Sequence, residues 1–147
     1  MTGEESRQAL VKEALTWLGT PYHASGNVKG AGTNCAQFIY GAAKNAGVLP
    51  PGAPPPRWYT PQLATHSREE RLIAYLQSYG AREISGREVR PGDVVVYRSG
   101  QAHGHIALVV EWPTIIHALA PAGCQLGSID DGQLGRMARK YFSFWGD

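Results

Sequence analysis

Apolar residues in the first part of the chain recur at the three- and four-residue intervals of a helix. Residues 5–18 follow this spacing, and Gly19 ends it. A second stripe begins at Cys35, directly after Asn34, a residue type that favours the position before a helix, and Gly47 ends it. Both segments are predicted to be helices. Their apolar positions are Leu10, Val11, Ala14, Leu15 and Leu18 in the first, and Cys35, Phe38, Ile39, Ala42, Ala43 and Ala46 in the second.

A third helix is predicted after a proline-rich stretch at residues 49–61. Ser67 and Glu70 have the spacing of a capping box, and an apolar stripe follows until Gly80. Residues 49–61 contain six of the ten prolines, and we interpret them as an extended excursion within one domain rather than a linker between two. The stripe of this third helix consists of Leu72, Tyr75, Leu76 and Tyr79.

The apolar pattern then changes to that of β-strands. "RPGDVVVYRS", residues 90–99, is a turn followed by a run that is apolar at successive positions, which predicts a strand buried on both faces. "HIALVVEW", residues 105–112, and "TIIHALA", residues 114–120, predict two more strands around a turn at Trp112–Pro113. A last strand is predicted at "KYFSFW", residues 140–145, after a short connection near residues 130–136.

Helices followed by consecutive strands are typical of an α+β domain with N-terminal helices packed on a mainly antiparallel sheet. At 147 residues the chain is long enough to bury about 70% of its unfolded surface without disulfides or metal. No internal repeat is visible, so we interpret residues 1–147 as a single domain.

Composition and charge narrow the class of protein. The net charge is +2, and no dense run of Lys and Arg occurs, which argues against nucleic acid as a partner. No apolar run approaches 18 residues, so no membrane span is expected. The first ten residues lack the basic region and apolar core of a signal peptide. The chain is therefore expected to be cytoplasmic on synthesis, with Cys35 and Cys124 reduced rather than bridged.

Cys35 stands at the predicted start of the second helix, which is a favourable place for a thiolate. The helix dipole contributes about 0.3–1 kcal/mol there, and about 2 kcal/mol when the site is partly buried. This lowers a thiol pKa by about 0.2 to 1.5, which leaves much of the thiol protonated at pH 7. A neighbouring imidazolium is needed to bring the pKa down to about 3–4.

Two histidines on neighbouring predicted strands are the candidates for that neighbour. His105 and His117 face the same side if the turn between the strands is odd in length, for example centred on Trp112, or if a bulge interrupts the pairing. With that centre, His117 pairs opposite Ala107 and lies diagonal to His105, about 7–8 Å away at Cα. The pattern is that of a nucleophile, Cys35, a base, His105, and a third residue, His117, that orients the base. Backbone amides at the helix start would stabilise an oxyanion.

Each of these residues also has an ordinary structural interpretation. A cysteine on a core stripe is commonly a small buried hydrophobe, and a His-Gly-His sequence at a strand start is commonly exposed to solvent. Tyr22 in "GTPYHASG" is by default an aromatic residue at the edge of a core. His103, His105 and His117 are also spaced so that they could ligate zinc, but no carboxylate is obviously placed to orient them. No metal or other cofactor is expected.

Five motifs in a fixed order resemble the NlpC-type family of papain-like cysteine peptidases. They are "GTPYHASG", "NCAQF" ahead of an alanine-rich helix, "RPGDVVVY", "GHIALVV" and "IIHA". The "VKG" before the cysteine, the proline-rich excursion and the helix after it are most similar to the compact branch of phage tail-tip and gene-transfer-agent cell-wall peptidases. The resemblance implies the papain-like NlpC-type fold.

The resemblance also implies roles for individual residues. The family nucleophile falls on Cys35, its general base on His105, its third polar residue on His117, and its tyrosine ahead of the nucleophile on Tyr22. The resemblance therefore gives Cys35, His105 and His117 the same three catalytic roles that their spacing indicates.

Two positions beside the nucleophile depart from the family. Asn34 and Ala36 stand where an aspartate and a serine are common. Asn34 lacks the charge that would pair with a substrate amine, and Ala36 lacks the hydroxyl. With Tyr22, they are the predicted substrate-binding residues.

What the resemblance implies is hydrolysis of an amide bond in peptidoglycan stem peptides through an acyl-enzyme. The expected partners are a peptidoglycan peptide and phage tail proteins. After synthesis the protein is expected to associate with a virion or tail, or to reach the cell wall by a non-classical route. Two alternatives stay open: a papain-like acyltransferase or thioesterase, and a non-catalytic tail assembly subunit that retains the fold.

Overall fold

The computed structural model describes residues 1–57 and 68–146. The predicted cap Ser67 lies outside these ranges, as does His66. The helices are α1 (Gly3–Leu15), α2 (Cys35–Asn45) and α3 (Arg71–Ser78), with a short 3-10 helix at Gly132–Arg136. The strands are β1 (Asn27–Val28), β2 (Gly32–Thr33), β3 (Arg82–Ile84), β4 (Val94–Arg98), β5 (His103–Glu111), β6 (Thr114–Leu119), β7 (Gly123–Ser128) and β8 (Arg139–Ser143).

Six strands form one sheet in the order β3-β8-β4-β5-β6-β7, and each neighbouring pair is antiparallel. β1 and β2 form a separate antiparallel hairpin in the loop between α1 and α2. The α+β class with helices first and a mainly antiparallel sheet is therefore confirmed. The strand β7 was not predicted. Cys124 lies in it and pairs with Ala118.

The sheet has an apolar core on each face, because its central strands are buried on both sides. The first core joins one face to the three helices, and the second is covered by the segment that leads from β7 to β8. Sheet residues in the first core include Val94, Val96, Ile106, Leu108, Ile116 and Phe142. The second core consists of Val95, Tyr97, Ala107, Val109, Ile115, Ile129 and Leu134.

The boundaries of α1 differ from the predicted residues 5–18. The helix begins earlier because Thr2 and Glu5 form a capping box, and it ends at Leu15. Leu18, predicted on the apolar stripe, is 43% exposed, whereas Trp17 is 2% exposed. The Trp17 ring lies against α2 at Gly41, where a Cβ atom would come within 2.6 Å of it.

A buried ion pair fastens α1 to the sheet. Arg7 donates to Asp93 Oδ1 at 2.8 Å, to the carbonyl oxygen of Pro91 at 3.1 Å and to Ser143 Oγ at 3.3 Å. Its guanidinium also lies 4.5 Å from the centre of the Trp145 ring. Arg7 and Asp93 are both buried, so neither charge has bulk water as an alternative partner.

We predict that Arg7→Met lowers the free energy of unfolding by about 3–5 kcal/mol, because it leaves Asp93 as an uncompensated buried charge. The matched control is Arg90→Met, which breaks the 2.8 Å pair between the exposed side chains of Arg90 and Glu4 and is expected to change stability by less than about 1 kcal/mol. Urea denaturation of the three proteins measures both values. Equal losses in the two variants would contradict this account of the buried pair.

Candidate active site

Cys35 is the first residue of α2, and the turn before it is fixed by its neighbour. Asn34 Oδ1 accepts the backbone N–H of Gln37 at 2.8 Å, which confirms the predicted N-cap. Asn34 Nδ2 donates to the carbonyl oxygen of Ala24 at 2.9 Å and so ties the loop between α1 and α2 to the helix start. The buried Cys35 thiol lies 3.8 Å from the carbonyl oxygen of Gly104, the residue before His105.

The hairpin of β5 and β6 has the register that the histidines require. Leu108 pairs with Ile116, which centres the hairpin on Trp112 as predicted. A bulge between Val109 and Glu111 shifts the strand pairing beside the turn. The two strands can therefore be joined by a short turn and still keep the register that is centred on Trp112. The predicted register is confirmed, and the bulge is the means by which the chain achieves it.

This register places the two imidazoles in direct contact. His105 Nε2 and His117 Nδ1 lie 2.8 Å apart, and the ring centres are 5.0 Å apart. Both side chains are shielded from water, at 9% and 4% exposure. Because His105 Nε2 is engaged with His117, Nδ1 is the ring nitrogen that remains for Cys35. The Tyr97 ring packs on His105 from β4, with centres 5.9 Å apart.

Burial keeps both histidines neutral. It lowers the pKa of His105 to about 3, and the adjacent His117 adds to this effect. Burial also lowers the pKa of His117, against the opposing influence of the Asp131 carboxylate. At neutral pH, His105 is therefore an unprotonated imidazole that is able to accept a proton.

A cavity of about 640 Å³ brings the predicted catalytic residues together. Cys35, His105 and His117 line it, and so does Tyr22. Tyr22 is held there by its bridge to Thr33, two residues before the nucleophile. Burial and the nearby charge of Cys35 raise the pKa of Tyr22, so its phenol keeps its proton. Other lining residues include Gln125, Leu126, Gly127, Asp131, Gln133, Leu134 and Met137.

The other two predicted substrate-binding residues lie beside this cavity. Asn34 is 1% exposed and Ala36 is 4% exposed, and neither is among the described residues that line the cavity. Both hydrogen-bonding ends of the Asn34 side chain are used within the protein. Substrate binding by Asn34 and Ala36 stays a prediction.

His103 stands apart from the other two histidines of the zinc alternative. Its Nδ1 lies 2.6 Å from Glu70 Oε2, and its backbone N–H donates to Glu70 Oε1 at 2.8 Å. Glu70, predicted to belong to a capping box, therefore joins the start of α3 to the start of β5, and it makes no side-chain cap bond. Over residues 1–57 and 68–146, no group of three His, Cys, Asp or Glu is placed to hold a metal ion.

Cys124 is the second free thiol of the structure. It lies in the first core, and burial raises its pKa to about 12. Its backbone pairs with that of Thr20 (N–H to O, 2.9 Å), and Gly123 has a positive φ of 85°. A Cβ on Gly123 would lie 2.2 Å from the Thr20 carbonyl oxygen, so glycine is required there.

Sequence reasoning missed Asp131. The only signal was the pair of aspartates in "DDGQLG", which reads as an ordinary turn. Asp131 is the one carboxylate among the described residues that line the cavity.

No helix in the described ranges is both long and apolar enough to cross a bilayer.

A sequence model of the NlpC/P60 family matches residues 19–143. The fold is similar to the NlpC/p60 domain of the peptidoglycan hydrolase SagA, at 21% identity and a TM-score of 0.63, covering 91% of this chain and 96% of that one. It is also similar to the peptidoglycan hydrolase RipB from Mycobacterium tuberculosis (15%, TM-score 0.65, 100% and 70% coverage). NlpC1 from Trichomonas vaginalis has 14% identity and a TM-score of 0.69, and the chain spans 46% of its length. No curated protein matches the sequence.

We predict that the free energy of unfolding decreases as the pH is lowered from 6.5 to 5, because the histidine pair is buried. The unfolded chain takes up protons below the ordinary histidine pKa of 6.5, whereas folded His105 resists protonation until about pH 3. The contribution of the buried histidines to the free energy of unfolding is complete above pH 6.5. Below that pH it decreases by about 1.4 kcal/mol per pH unit for each such histidine. Urea denaturation at several pH values measures this slope.

The controls for this pH dependence are two histidine substitutions. His105→Gln is expected to flatten the slope, and His23→Gln, at an exposed loop residue, is expected to leave it unchanged. A slope that is the same in His105→Gln as in the unmodified protein would show that His105 is not the group responsible.

Proposed function

Because the chain belongs to the NlpC/P60 family, we propose that it is a cysteine peptidase that hydrolyses an amide bond in peptidoglycan stem peptides. The observation that carries the proposal is the 2.8 Å contact between His105 Nε2 and His117 Nδ1 in the cavity that Cys35 lines. It leaves one nitrogen of a neutral, buried imidazole for the thiol. This is the arrangement of a nucleophile, a base and a residue that orients the base.

Acylation follows from this geometry. As Cys35 Sγ attacks the carbonyl carbon, the thiol proton moves to His105 Nδ1. The negative charge on the carbonyl oxygen is stabilised by donors at the start of α2, with the protonated phenol of Tyr22 on the same cavity wall. When the C–N bond breaks, His105 returns the proton to the leaving amine, and the acyl group remains on Cys35 as a thioester.

Deacylation repeats these steps with water. His105 Nδ1 takes a proton from the water as its oxygen attacks the thioester carbonyl. The C–S bond then breaks, the product leaves as a carboxylic acid, and Cys35 Sγ regains its proton from His105. Throughout, His117 holds the His105 ring in one orientation and shares its positive charge when it is protonated.

The substrate class is supported by the polar part of the cavity. Gln125 and Gln133 supply amide groups that suit the backbone of a stem peptide. The bond between D-glutamate and a diamino acid is the proposed target. Asn34 carries no charge and is buried, so recognition of a free substrate amine would have to use another residue.

An acyltransferase or thioesterase is the second candidate, because part of the same cavity is apolar. Leu126, Leu134 and Met137 line it and would suit an acyl chain. Both candidates use Cys35 and His105 in the same way. They differ in the substrate, so a fatty-acyl thioester belongs in the same assay as the stem peptide.

We also propose that the protein acts as part of a phage or phage-like tail, which would deliver it to the cell wall. The support is the resemblance of "VKG", the proline-rich excursion and the following helix to tail-tip peptidases. Tail proteins would then be its partners. Detection of this chain in purified tail particles tests the association, and its absence from them would count against it.

We predict that Cys35→Ala reduces stem-peptide hydrolysis by at least about 10³-fold, because the variant lacks the thiol that attacks the carbonyl carbon and carries the acyl group. Cys124→Ala is the matched control and is expected to retain most of the activity, since its buried thiol lies in the first core and does not line the cavity. Chromatography of purified stem peptides with mass spectrometry of the products measures both rates.

Two results would contradict the proposal. Hydrolysis that persists in Cys35→Ala would remove the thiol from the mechanism. An unmodified protein that cleaves neither the stem peptide nor an acyl thioester, although it is folded, would favour a non-catalytic tail subunit that keeps the fold.

A further inference from the structure

The segment after β7 is fixed against the second core and carries Asp131 to the edge of the cavity. Ile129 and Leu134, on either side of Asp131, are both buried in that core. Tyr97 Oη donates to the carbonyl oxygen of Ile129 at 2.7 Å, and the backbone N–H of Leu134 donates to the carbonyl oxygen of Asp131 at 2.9 Å. The Asp131 carboxylate therefore has a defined position even though the residue is exposed to solvent.

Gly127 keeps the space between this carboxylate and His117 open. Gly127 and His117 lie on the same face of the β6–β7 pair, because His117 pairs with Gln125, two residues before Gly127. A Cβ on Gly127 would lie 3.0 Å from Asp131 Oδ2 and 3.5 Å from His117 Nε2. The carboxylate oxygen and the outer ring nitrogen of His117 thus border the same small gap.

The positions of the protons in the histidine pair explain why a carboxylate at this gap matters. For His105 Nδ1 to accept the thiol proton, the proton of the neutral ring must be on Nε2, which then donates to His117 Nδ1. His117 must in turn carry its own proton on Nε2, the atom that faces the gap. A carboxylate at that atom favours this tautomer over the unproductive one and stabilises the charge that develops when His105 is protonated.

We propose that Asp131 is a positioning residue that extends the site to four members, in the order Cys35, His105, His117, Asp131. It acts through His117 and does not touch the reacting atoms. The inference rests on the proposed role of His105 as the base, but not on the identity of the substrate.

The other ionisable groups around the pair do not supply this charge. Cys35 and Tyr22 lie on the side of the reacting atoms, and Tyr97 packs on His105 from β4 as a neutral phenol, since burial raises its pKa. The neighbouring acid, Asp130, is not among the described residues that line the cavity, and it pairs with Arg139 Nη1 at 2.6 Å. In agreement with this geometry, the charge of Asp131 raises the pKa of His117 against the effect of burial.

The test is the rate at which an alkylating reagent labels Cys35 at different pH values, in Asp131→Asn and in the control Asp130→Asn. Asparagine keeps an oxygen that can accept the Ser128 N–H, which Asp131 Oδ2 binds at 2.7 Å, so the turn is retained and only the charge is lost. Because Asp131 is exposed, we expect a moderate effect: labelling of Cys35 about five- to tenfold slower near neutral pH. Its half-maximal pH is expected to move upward, with no change in Asp130→Asn.

A second variant tests the gap itself. Gly127→Ala places a methyl group between Asp131 Oδ2 and His117 Nε2 and is expected to slow labelling to a similar extent. Adding Gly127→Ala to Asp131→Asn is then expected to cause little further loss, because both changes remove the same interaction. Thermal unfolding of each variant shows whether it is folded under the labelling conditions.

The outcomes separate this inference from the proposed function. Labelling in Asp131→Asn at the rate and pH of the unmodified protein overturns the role of Asp131, whatever the protein hydrolyses. So does an effect on KM for the stem peptide alone, because that would make Asp131 a substrate contact. If labelling depends on His105 and Asp131 while no stem peptide is cleaved, the inference stands and the proposed substrate fails.

Discussion

The site depends on one hydrogen bond, between His105 Nε2 and His117 Nδ1, and that bond depends on the register of a single hairpin. A slip of one residue would turn His117 to the other face of the sheet, since side chains alternate along a strand. The apolar residues beside the histidines resist such a slip. Val109 and Ile115 pair within the second core, and Leu108 and Ile116 pair within the first. Burial of both faces therefore fixes the geometry of the base.

The reacting groups lie where the two cores meet. Cys35 belongs to the first core, at the start of a helix whose cap, Asn34, also ties down the loop before it. The second core, through Ile129 and Leu134, holds the segment that carries Asp131. Thiol and carboxylate thus reach the histidine pair from different packed layers. The same burial that orders the imidazoles also lowers their pKa values, which keeps the base unprotonated at neutral pH.

Much of this arrangement could be predicted from the sequence because it rests on local patterns. Periodicity located α2 and the central strands, and Asn34 marked the helix start where Cys35 stands. Requiring both histidines on one face predicted an odd-length turn, for example one centred on Trp112, or a bulge, and the structure has that centre together with a bulge. Features that depend on distant residues could not be predicted in this way. The edge strand β7 has a mixed apolar and polar sequence with glycines at 123 and 127, and Asp131 gains its place only from packing.

The most direct test of the central claim is the rate of alkylation of Cys35 against pH, with Cys35 and Cys124 followed separately by mass spectrometry. The account predicts that Cys35 is labelled rapidly at pH 6–7 in the unmodified protein and at least about tenfold more slowly in folded His105→Ala, because His105 accepts the thiol proton as the sulfur attacks the reagent. Cys124, whose pKa burial raises to about 12, is expected to stay unlabelled in both. The same rate and pH dependence for Cys35 in the two proteins would contradict activation of the thiol by His105.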